Sequence, residues 1–131
     1  MEKRVLFVDD DQFVLACFER LLGKRFNLET ALGPDAALDA LMHRGPYAVI
    51  VSDLRMPKLS GIQLLTRARE LSSQAVGLIL TGNADFEGAD EAVRNGIVFK
   101  FLDKPCPPDV LRNAIEEALA HYQEKERVPA P

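Results

Sequence analysis

Five short apolar segments recur along the chain, and each is followed by a stretch whose apolar residues have helical spacing. In most of these segments the apolar side chains are consecutive rather than alternating, which is typical of strands buried on both faces. The predicted strands span residues 5–8, 26–32, 47–51, 76–80 and 97–102. Such strands, separated by helices, imply a parallel sheet covered on both faces. The pattern therefore predicts an α/β fold with three layers and right-handed connections.

Local signals mark where several of the predicted helices begin and end. The first helix is expected over residues 11–23, with Asp11 as its N-cap and Gly23 just after its last turn. Ser60 and Gln63 have the spacing of a capping box at the start of the third helix. The fourth helix is predicted from about residue 85 to residue 94, interrupted by Gly88.

The second and fifth helices are recognised by their apolar stripes. Pro34 stands at the first position of the second helix, and Leu38, Leu41 and Met42 are predicted to form its buried face. The last helix is predicted from Pro108 to about residue 125. With 131 residues the chain fits one domain, which we place at 1–125, followed by a disordered tail or the start of a linker at 126–131.

Composition excludes several classes of function. The net charge of −4 argues against a nucleic-acid surface, which needs clustered Lys and Arg. No apolar segment approaches the roughly 20 residues that span a bilayer, so no membrane partner is expected. Two cysteines, Cys17 and Cys106, make neither a disulfide framework nor a zinc site, and we expect them to be packing residues in a reducing, cytoplasmic setting.

Polar residues follow four of the predicted strands directly. Asp9 and Asp10 end the first strand, Asp53 ends the third, Thr81 the fourth, and Lys104 comes after the fifth. Ligands of parallel α/β sheets bind outside the carboxyl ends of the strands, so these residues are expected to converge. Singly, each has an ordinary alternative: acidic strand ends are often solvated or cap helices, Thr81 is a common strand-end residue, and Lys104 could extend into solvent. Their joint placement favours a site.

Crowded carboxylates repel one another, and a hard divalent cation such as Mg²⁺ (or Mn²⁺) would relieve that repulsion. With a metal bound, an aspartate can act as a nucleophile towards phosphorus. Lys104 and Thr81 could then stabilise other phosphoryl oxygens. The residues therefore predict phosphoryl transfer to Asp53.

The chain resembles the receiver domain of two-component response regulators over residues 3–123. Four segments carry the resemblance: Val5–Asp11, Val51–Pro57 followed by Gly61, Leu80–Gly82, and Phe101–Pro105. Each segment alone is weak, whereas all four in this order and spacing are specific. The resemblance implies a doubly wound, flavodoxin-like (βα)5 sandwich with strand order 2-1-3-4-5.

The resemblance also implies a role for each site residue. Asp53 would be the phosphoacceptor, Asp10 a direct Mg²⁺ ligand, and Asp9 would act largely through water. The backbone carbonyl of Arg55 would complete the metal ligands. Lys104 would hold a phosphoryl oxygen, and the peptide bond between Lys104 and Pro105 would be cis. Further residues take family roles: Thr81 and Phe101 as the switch pair, Arg55, Gly82 and Asn83 in tuning the phosphoryl lifetime, and Pro57, Gly61 and Pro105 in structure.

By the same resemblance the chain is a signalling switch rather than an enzyme, catalysing only its own phosphorylation and dephosphorylation. A sensor histidine kinase or phosphotransfer protein would supply the phosphoryl group. The switch would reshape the face made by the fourth helix, fifth strand and fifth helix. That face would control a partner protein or fused output domain, with a phosphorylation-dependent dimer as one form of output.

Two other functions compete with this interpretation. Asp9-x-Asp11 after the first strand faintly resembles Mg²⁺-dependent phosphatases with an aspartyl nucleophile, which would make Asp9 the reacting group. Phe13 stands where such enzymes have a smaller residue, which argues against it. The other alternative is a degenerate receiver that only docks proteins. It would be expected to lack Asp53 or Lys104, and both are present.

Overall fold

The computed structural model of the chain describes residues 3–71, 74–82 and 88–127. Five strands and the helices between them alternate along the chain, as the sequence predicts. The strands are β1 (Arg4–Asp9), β2 (Asn27–Leu32), β3 (Val49–Asp53), β4 (Val76–Thr81) and β5 (Lys100–Asp103). The helices are α1 (Gln12–Leu22), α2 (Gly33–His43), α3 (Gly61–Glu70), α4 (Ala89–Arg94) and α5 (Pro108–Arg127). Asn83 and the predicted tail residues 128–131 lie outside the described residues.

All strands run parallel in the order β2-β1-β3-β4-β5, which confirms the predicted doubly wound topology. Successive residues of β1 point to opposite faces. Val5 and Phe7 pack in one hydrophobic cluster with residues of α1 and α5. Leu6 and Val8 pack in a second cluster with residues of α2, α3 and α4. The sheet is therefore the middle of three layers, which explains why its strands are apolar on both faces.

The buried face of α2 differs from the predicted one. Its buried residues are Pro34, Ala37 and Ala40, whereas Leu38 and Leu41 are only partly buried. Met42 is 61% exposed, so its assignment to the apolar stripe was wrong. Met42 lies two residues after Ala40, about 200° around the helix axis, and so points away from the sheet. The small residues face the sheet.

Several element boundaries also differ from the sequence-based expectation. Gly23 is the C-cap of α1 with φ −64°, so no left-handed residue ends this helix. Gly88 has φ 95° and precedes α4 rather than interrupting its described part. The strand β5 begins at Lys100 instead of residue 97, because the Val98 N–H donates to Ala92 O at 3.0 Å and keeps this segment with the end of α4. The last helix continues two residues beyond the expected boundary at 125.

No helix within the described ranges is both long and apolar enough to cross a membrane.

Candidate phosphoacceptor and metal site

Three carboxylates meet at the carboxyl edge of the sheet, as the strand ends predict. One oxygen from each of Asp9, Asp10 and Asp53 lies within 4.8 Å of the others. Asp9 ends β1 and is only 4% exposed, whereas Asp10 is exposed on the loop that follows. Asp53 ends β3, the neighbouring strand in the sheet. The adjacency of these two strands brings residues 44 positions apart into one cluster.

Asp9 is held in place by the turn that leads into α1. Its Oδ1 accepts a hydrogen bond from the Asp11 N–H at 3.0 Å. The Asp11 side chain accepts in turn from the Phe13 N–H at 2.9 Å, which confirms Asp11 as the N-cap. Burial raises the pKa of Asp9 to about 6; the Asp11 N–H opposes this shift, and the negative charge of Asp53 adds to it. The carboxylate of Asp9 is thus placed where its charge is costly without a cation.

Lys104 contacts the predicted phosphoacceptor directly. Its Nζ lies 2.8 Å from Oδ1 of Asp53, whose side chain is 14% exposed. The backbone N–H of Lys104 donates to Thr81 O at 2.9 Å, so the end of β4 positions the residue after β5. The Lys104–Pro105 bond is cis, as the resemblance implies. Thr81 is buried at the end of β4.

The loop after Asp53 returns tightly to the sheet. The Leu54 N–H donates to Leu80 O at 3.0 Å, and the Gly61 N–H donates to Leu54 O at 2.9 Å. A Cβ on Gly61 would lie 2.5 Å from the backbone oxygen of Asp53. Only glycine therefore allows α3 to begin this close to the site. Within the loop Lys58 has φ 72°, an uncommon conformation for a residue with a side chain.

The predicted capping box at the start of α3 is confirmed. The Gln63 N–H donates to Ser60 Oγ at 3.1 Å, and the Ser60 N–H donates to Gln63 Oε1 at 2.9 Å. Ser52 was not predicted as a site residue, yet its side chain is fully buried and donates to Asp53 O at 2.9 Å. A single hydroxyl residue within an apolar segment was the available signal.

A depression of about 370 Å³ opens above the cluster. It is lined by Asp53, Arg55, Thr81, Gly82 and Lys104. A Cβ on Gly82 would meet no atom within 4 Å, so this side of the depression is open. One carboxylate and two cationic side chains thus border a space accessible from solvent. Such a space suits an anionic group that approaches the Asp53 carboxylate.

Hard oxygen donors at this spacing are the ligands that Mg²⁺ prefers. Three carboxylates, one of them buried with a raised pKa, fit a divalent cation. Phe101 is not among the described residues that line the depression. It is partly buried and packs against the hydrophobic cluster on the side of the sheet covered by α2, α3 and α4. Its register partner is Ile79 on β4, two residues before Thr81.

Residues 5–116 match the model of the response regulator receiver domain family. The chain belongs to this family. This receiver domain is 32% identical over 115 residues to the hydrogenase transcriptional regulatory protein HoxA of Cupriavidus necator. The match covers 88% of this chain and 24% of that protein. It is 32% identical over 121 residues to the DNA-binding transcriptional regulator NtrC of Klebsiella pneumoniae, covering 92% and 25%.

Solved structures share the fold of this receiver domain. A crystal structure described as adenylate cyclase from Rhodopirellula baltica has a TM-score of 0.89 and 37% identity, over 97% of this chain and 96% of that chain. The receiver domain spans about a quarter of the length of the curated relatives named above.

Proposed function

We propose that this receiver domain accepts a phosphoryl group on Asp53 in a Mg²⁺-dependent reaction. The observation that carries the proposal is the position of the Asp53 carboxylate. It lies 2.8 Å from the Lys104 ammonium and within 4.8 Å of Asp9 and Asp10 oxygens, and it lines the open depression. A nucleophile, a cation and a metal-binding set therefore share one accessible location.

In the proposed step an Asp53 oxygen attacks phosphorus, and a carboxylate–phosphorus bond forms. The bond from phosphorus to the donor breaks, and its electron pair leaves with the donor, which is the histidine nitrogen of a kinase or phosphotransfer protein. Lys104 stabilises the negative charge on a phosphoryl oxygen, and the Thr81 hydroxyl donates to another. Arg55 and Gly82 border the entrance, where they would affect access of water and hence phosphoryl lifetime; Asn83 is assigned the same tuning role.

Asp9, Asp10 and Asp53, with the backbone carbonyl of Arg55, would hold Mg²⁺ (or Mn²⁺). When bound, the ion neutralises carboxylates and phosphoryl oxygens, which lowers the barrier to attack. Asp10 is exposed and suits direct coordination, while the buried Asp9 is already engaged by the Asp11 N–H and suits contact through water.

Phosphorylation would bias a two-state switch made by Thr81 and Phe101, and so reshape the face of α4, β5 and α5. HoxA and NtrC are named as transcriptional regulators and are about four times as long as the matched region. We therefore propose a cytoplasmic signalling role rather than metabolic catalysis. A histidine kinase would act upstream, and an output domain, a partner protein or a phosphorylation-dependent dimer would act downstream.

A phosphatase with Asp9 as the nucleophile is less well supported. Asp9 is 4% exposed, and one of its oxygens already accepts the Asp11 N–H. Among the described residues, the depression is lined by Asp53 and not by Asp9. An incoming phosphorus atom would thus reach Asp53 first.

Intact-mass measurement after incubation with Mg²⁺ and acetyl phosphate tests the proposal. We expect one added phosphoryl group on the parent protein, with acetate released. We expect none on Asp53→Asn, and none on the parent with excess chelator. Asp35→Asn, an exposed aspartate on α2, is the matched control and should be phosphorylated like the parent.

A parallel titration with beryllofluoride, which mimics the bound phosphoryl group without hydrolysis, distinguishes rapid loss of the group from a failure to be phosphorylated. Absence of both the mass increase and beryllofluoride binding would contradict the proposal. Labelling that persists in Asp53→Asn and disappears in Asp9→Asn would support the phosphatase instead.

A further inference from the structure

A second cavity lies at the opposite end of the sheet from Asp53. Its volume is about 330 Å³, and it is bordered by the start of β4, the end of α4, the segment before β5, and α5. Cavities of about 300–1,000 Å³ commonly hold small molecules, so this one could hold a ligand with a single ring.

Most of the residues that line this cavity are apolar or glycine, and the polar atoms of its lining make up nearly half of the exposed wall. Val76 and Val98 are buried, while Val93 is 44% exposed at the rim. Phe99 forms another wall, and its ring stacks on the imidazole of His121 with ring centres 4.8 Å apart and planes inclined by 24°. A flat apolar group would find both aliphatic and aromatic surface here.

Two cations lie at one edge of the cavity. Lys125 lines it and directs Nζ to the backbone oxygen of Gln74 at 3.3 Å. Arg69 donates from Nη1 to Asn95 O at 3.0 Å, and its Nη2 would lie 2.8 Å from a Cβ on Gly96, another lining residue. Partial burial lowers the pKa of Lys125, and the positive charge of Arg69 lowers it further.

Each cation has capacity for more hydrogen bonds than the one described. An ammonium has three donors and a guanidinium has five; among the described residues, each group donates to one backbone carbonyl. A carboxylate placed between them would accept charge-assisted hydrogen bonds and relieve the repulsion between the two positive groups. The edge thus complements an anion, and the walls complement an apolar ring.

We propose that this cavity binds a small aromatic carboxylic acid. The carboxylate would contact Lys125 and Arg69, and the ring would pack between Val93 and Phe99. The site is separate from the phosphoacceptor site, and its occupation does not require phosphorylation of Asp53.

Titration with phenylacetate, followed by backbone amide chemical shifts, tests the proposal on the full chain. Saturable shifts are expected at 75–77, 93–99 and 121–125, with a Kd on the order of 1 mM for a ligand of this size. Benzyl alcohol, which has the ring without the charge, should bind at least about tenfold more weakly, a difference of about 1.4 kcal/mol.

Lys125→Gln should weaken phenylacetate binding about fivefold or more, in line with loss of one charge-assisted hydrogen bond. Lys24→Gln, which removes an exposed lysine after α1, should leave it unchanged. Val93→Phe should fill the rim and abolish binding, with unchanged shifts elsewhere as evidence of an intact fold. Absence of saturable binding by the parent, equal binding of benzyl alcohol, or equal effects of the two lysine substitutions would each overturn the proposal.

Discussion

At the scale of single residues, Gly61 and Gly82 show that neighbouring glycines of one site can have opposite requirements. A Cβ on Gly61 would lie 2.5 Å from Asp53 O and 2.8 Å from Cδ1 of Ile79, both closer than van der Waals contact. A Cβ on Gly82 would meet nothing within 4 Å. The first glycine is required by packing, whereas the second leaves space at the entrance of the site.

Gly61→Ala is therefore expected to lower the free energy of unfolding by about 2–3 kcal/mol, because the start of α3 must move away from β3. Gly82→Ala should change it by less than about 0.5 kcal/mol. Urea denaturation of both variants gives the comparison. Equal stability of the two variants would contradict the close approach at Gly61.

Asp9 is a residue whose charge opposes folding when no cation is present. Its carboxylate is buried beside Asp53 and Asp10. Asp9→Asn keeps an oxygen for the Asp11 N–H and removes the charge. In chelator at neutral pH we expect this variant to be more stable than the parent by about 1–2 kcal/mol, measured by urea denaturation.

Asp10→Asn serves as the control for Asp9→Asn, because Asp10 is exposed and its charge is better solvated. Its effect in chelator should be less than about 0.5 kcal/mol. Adding Mg²⁺ should stabilise the parent through binding to the folded state and reduce or reverse the advantage of Asp9→Asn. A destabilised Asp9→Asn variant in chelator would be the opposite of this expectation.

At the scale of elements, a polar cluster at the amino end of the sheet joins β1, β2 and the loop before β3. Arg4 donates to Glu29 Oε2 at 2.9 Å, and the buried Tyr47 hydroxyl donates to Glu29 Oε1 at 2.7 Å. Arg4 also donates to Pro46 O at 3.0 Å and lies 4.5 Å from the centre of the Tyr47 ring. Glu29 on β2 therefore accepts hydrogen bonds from two other chain segments, β1 and the loop before β3.

Burial tends to raise the pKa of Glu29, but the hydrogen bonds from Tyr47 and Arg4 outweigh it, so the pKa lies below its ordinary value. A carboxyl group with a depressed folded-state pKa stabilises the protein above its unfolded pKa of about 4.3, and this contribution is lost as the pH falls through the folded pKa. The stability due to this cluster should thus decrease on the acid side.

Tyr47→Phe should cost about 1–2 kcal/mol at pH 7, since it removes a hydrogen bond to a charged acceptor. The cost should shrink as the pH falls through the lowered pKa of Glu29, because its carboxyl group then becomes protonated. Urea denaturation across this range measures it. In a Glu29→Gln background the same substitution should have a pH-independent effect; a pH-independent cost in the parent background would refute the role of the Glu29 charge.

At the scale of the whole molecule, the proposed switch must carry a signal from Asp53 to the face made by α4, β5 and α5. Thr81 is buried at the end of β4, and Phe101 on β5 pairs in register with Ile79. Because β4 and β5 are paired, a change at Thr81 on β4 can reach Phe101 on β5. The segment that includes α4 is short, with six helical residues described, and is suited to a low-energy rearrangement.

Thr81→Ala is expected to bind beryllofluoride at Asp53 but to transmit little of the change. Hydrogen exchange of the parent should change over residues 89–103 on binding, while β2 remains constant. In Thr81→Ala the change over 89–103 should fall by at least about half, since the hydroxyl that biases the switch is gone. An undiminished change with the ligand bound would remove Thr81 from the switch.

The order of elements and the location of the site were predictable from the chain alone. Consecutive apolar residues identified buried strands, and the residue after each strand was placed at one edge of a parallel sheet. Asp9, Asp10, Asp53 and Lys104 were therefore expected at one edge of the sheet, and their side chains do meet there, while their roles stay predictions. Strong local signals, such as the Ser60–Gln63 capping box, were also confirmed because both partners lie within one helical turn.

Periodicity was a weaker guide to which helix face is buried. Met42 has the right polarity for a core position, but the sheet packs against the small residues Ala37 and Ala40 instead. The start of β5 was likewise misplaced, because a hydrogen bond from Val98 to Ala92 competes with strand pairing. Both outcomes depend on neighbours that are far away or competing for the same backbone groups, which a local pattern does not contain.

The sequence by itself determined the fold class and the edge at which the acidic and basic residues meet, because strand periodicity and parallel pairing follow from local chemistry. Only the tertiary structure decided the burial of Asp9, the 2.8 Å contact between Lys104 and Asp53, the close approach at Gly61, and the second cavity beside Lys125. Each of these features depends on the distances between segments that are remote in the chain. Those distances are set by how the three layers pack together.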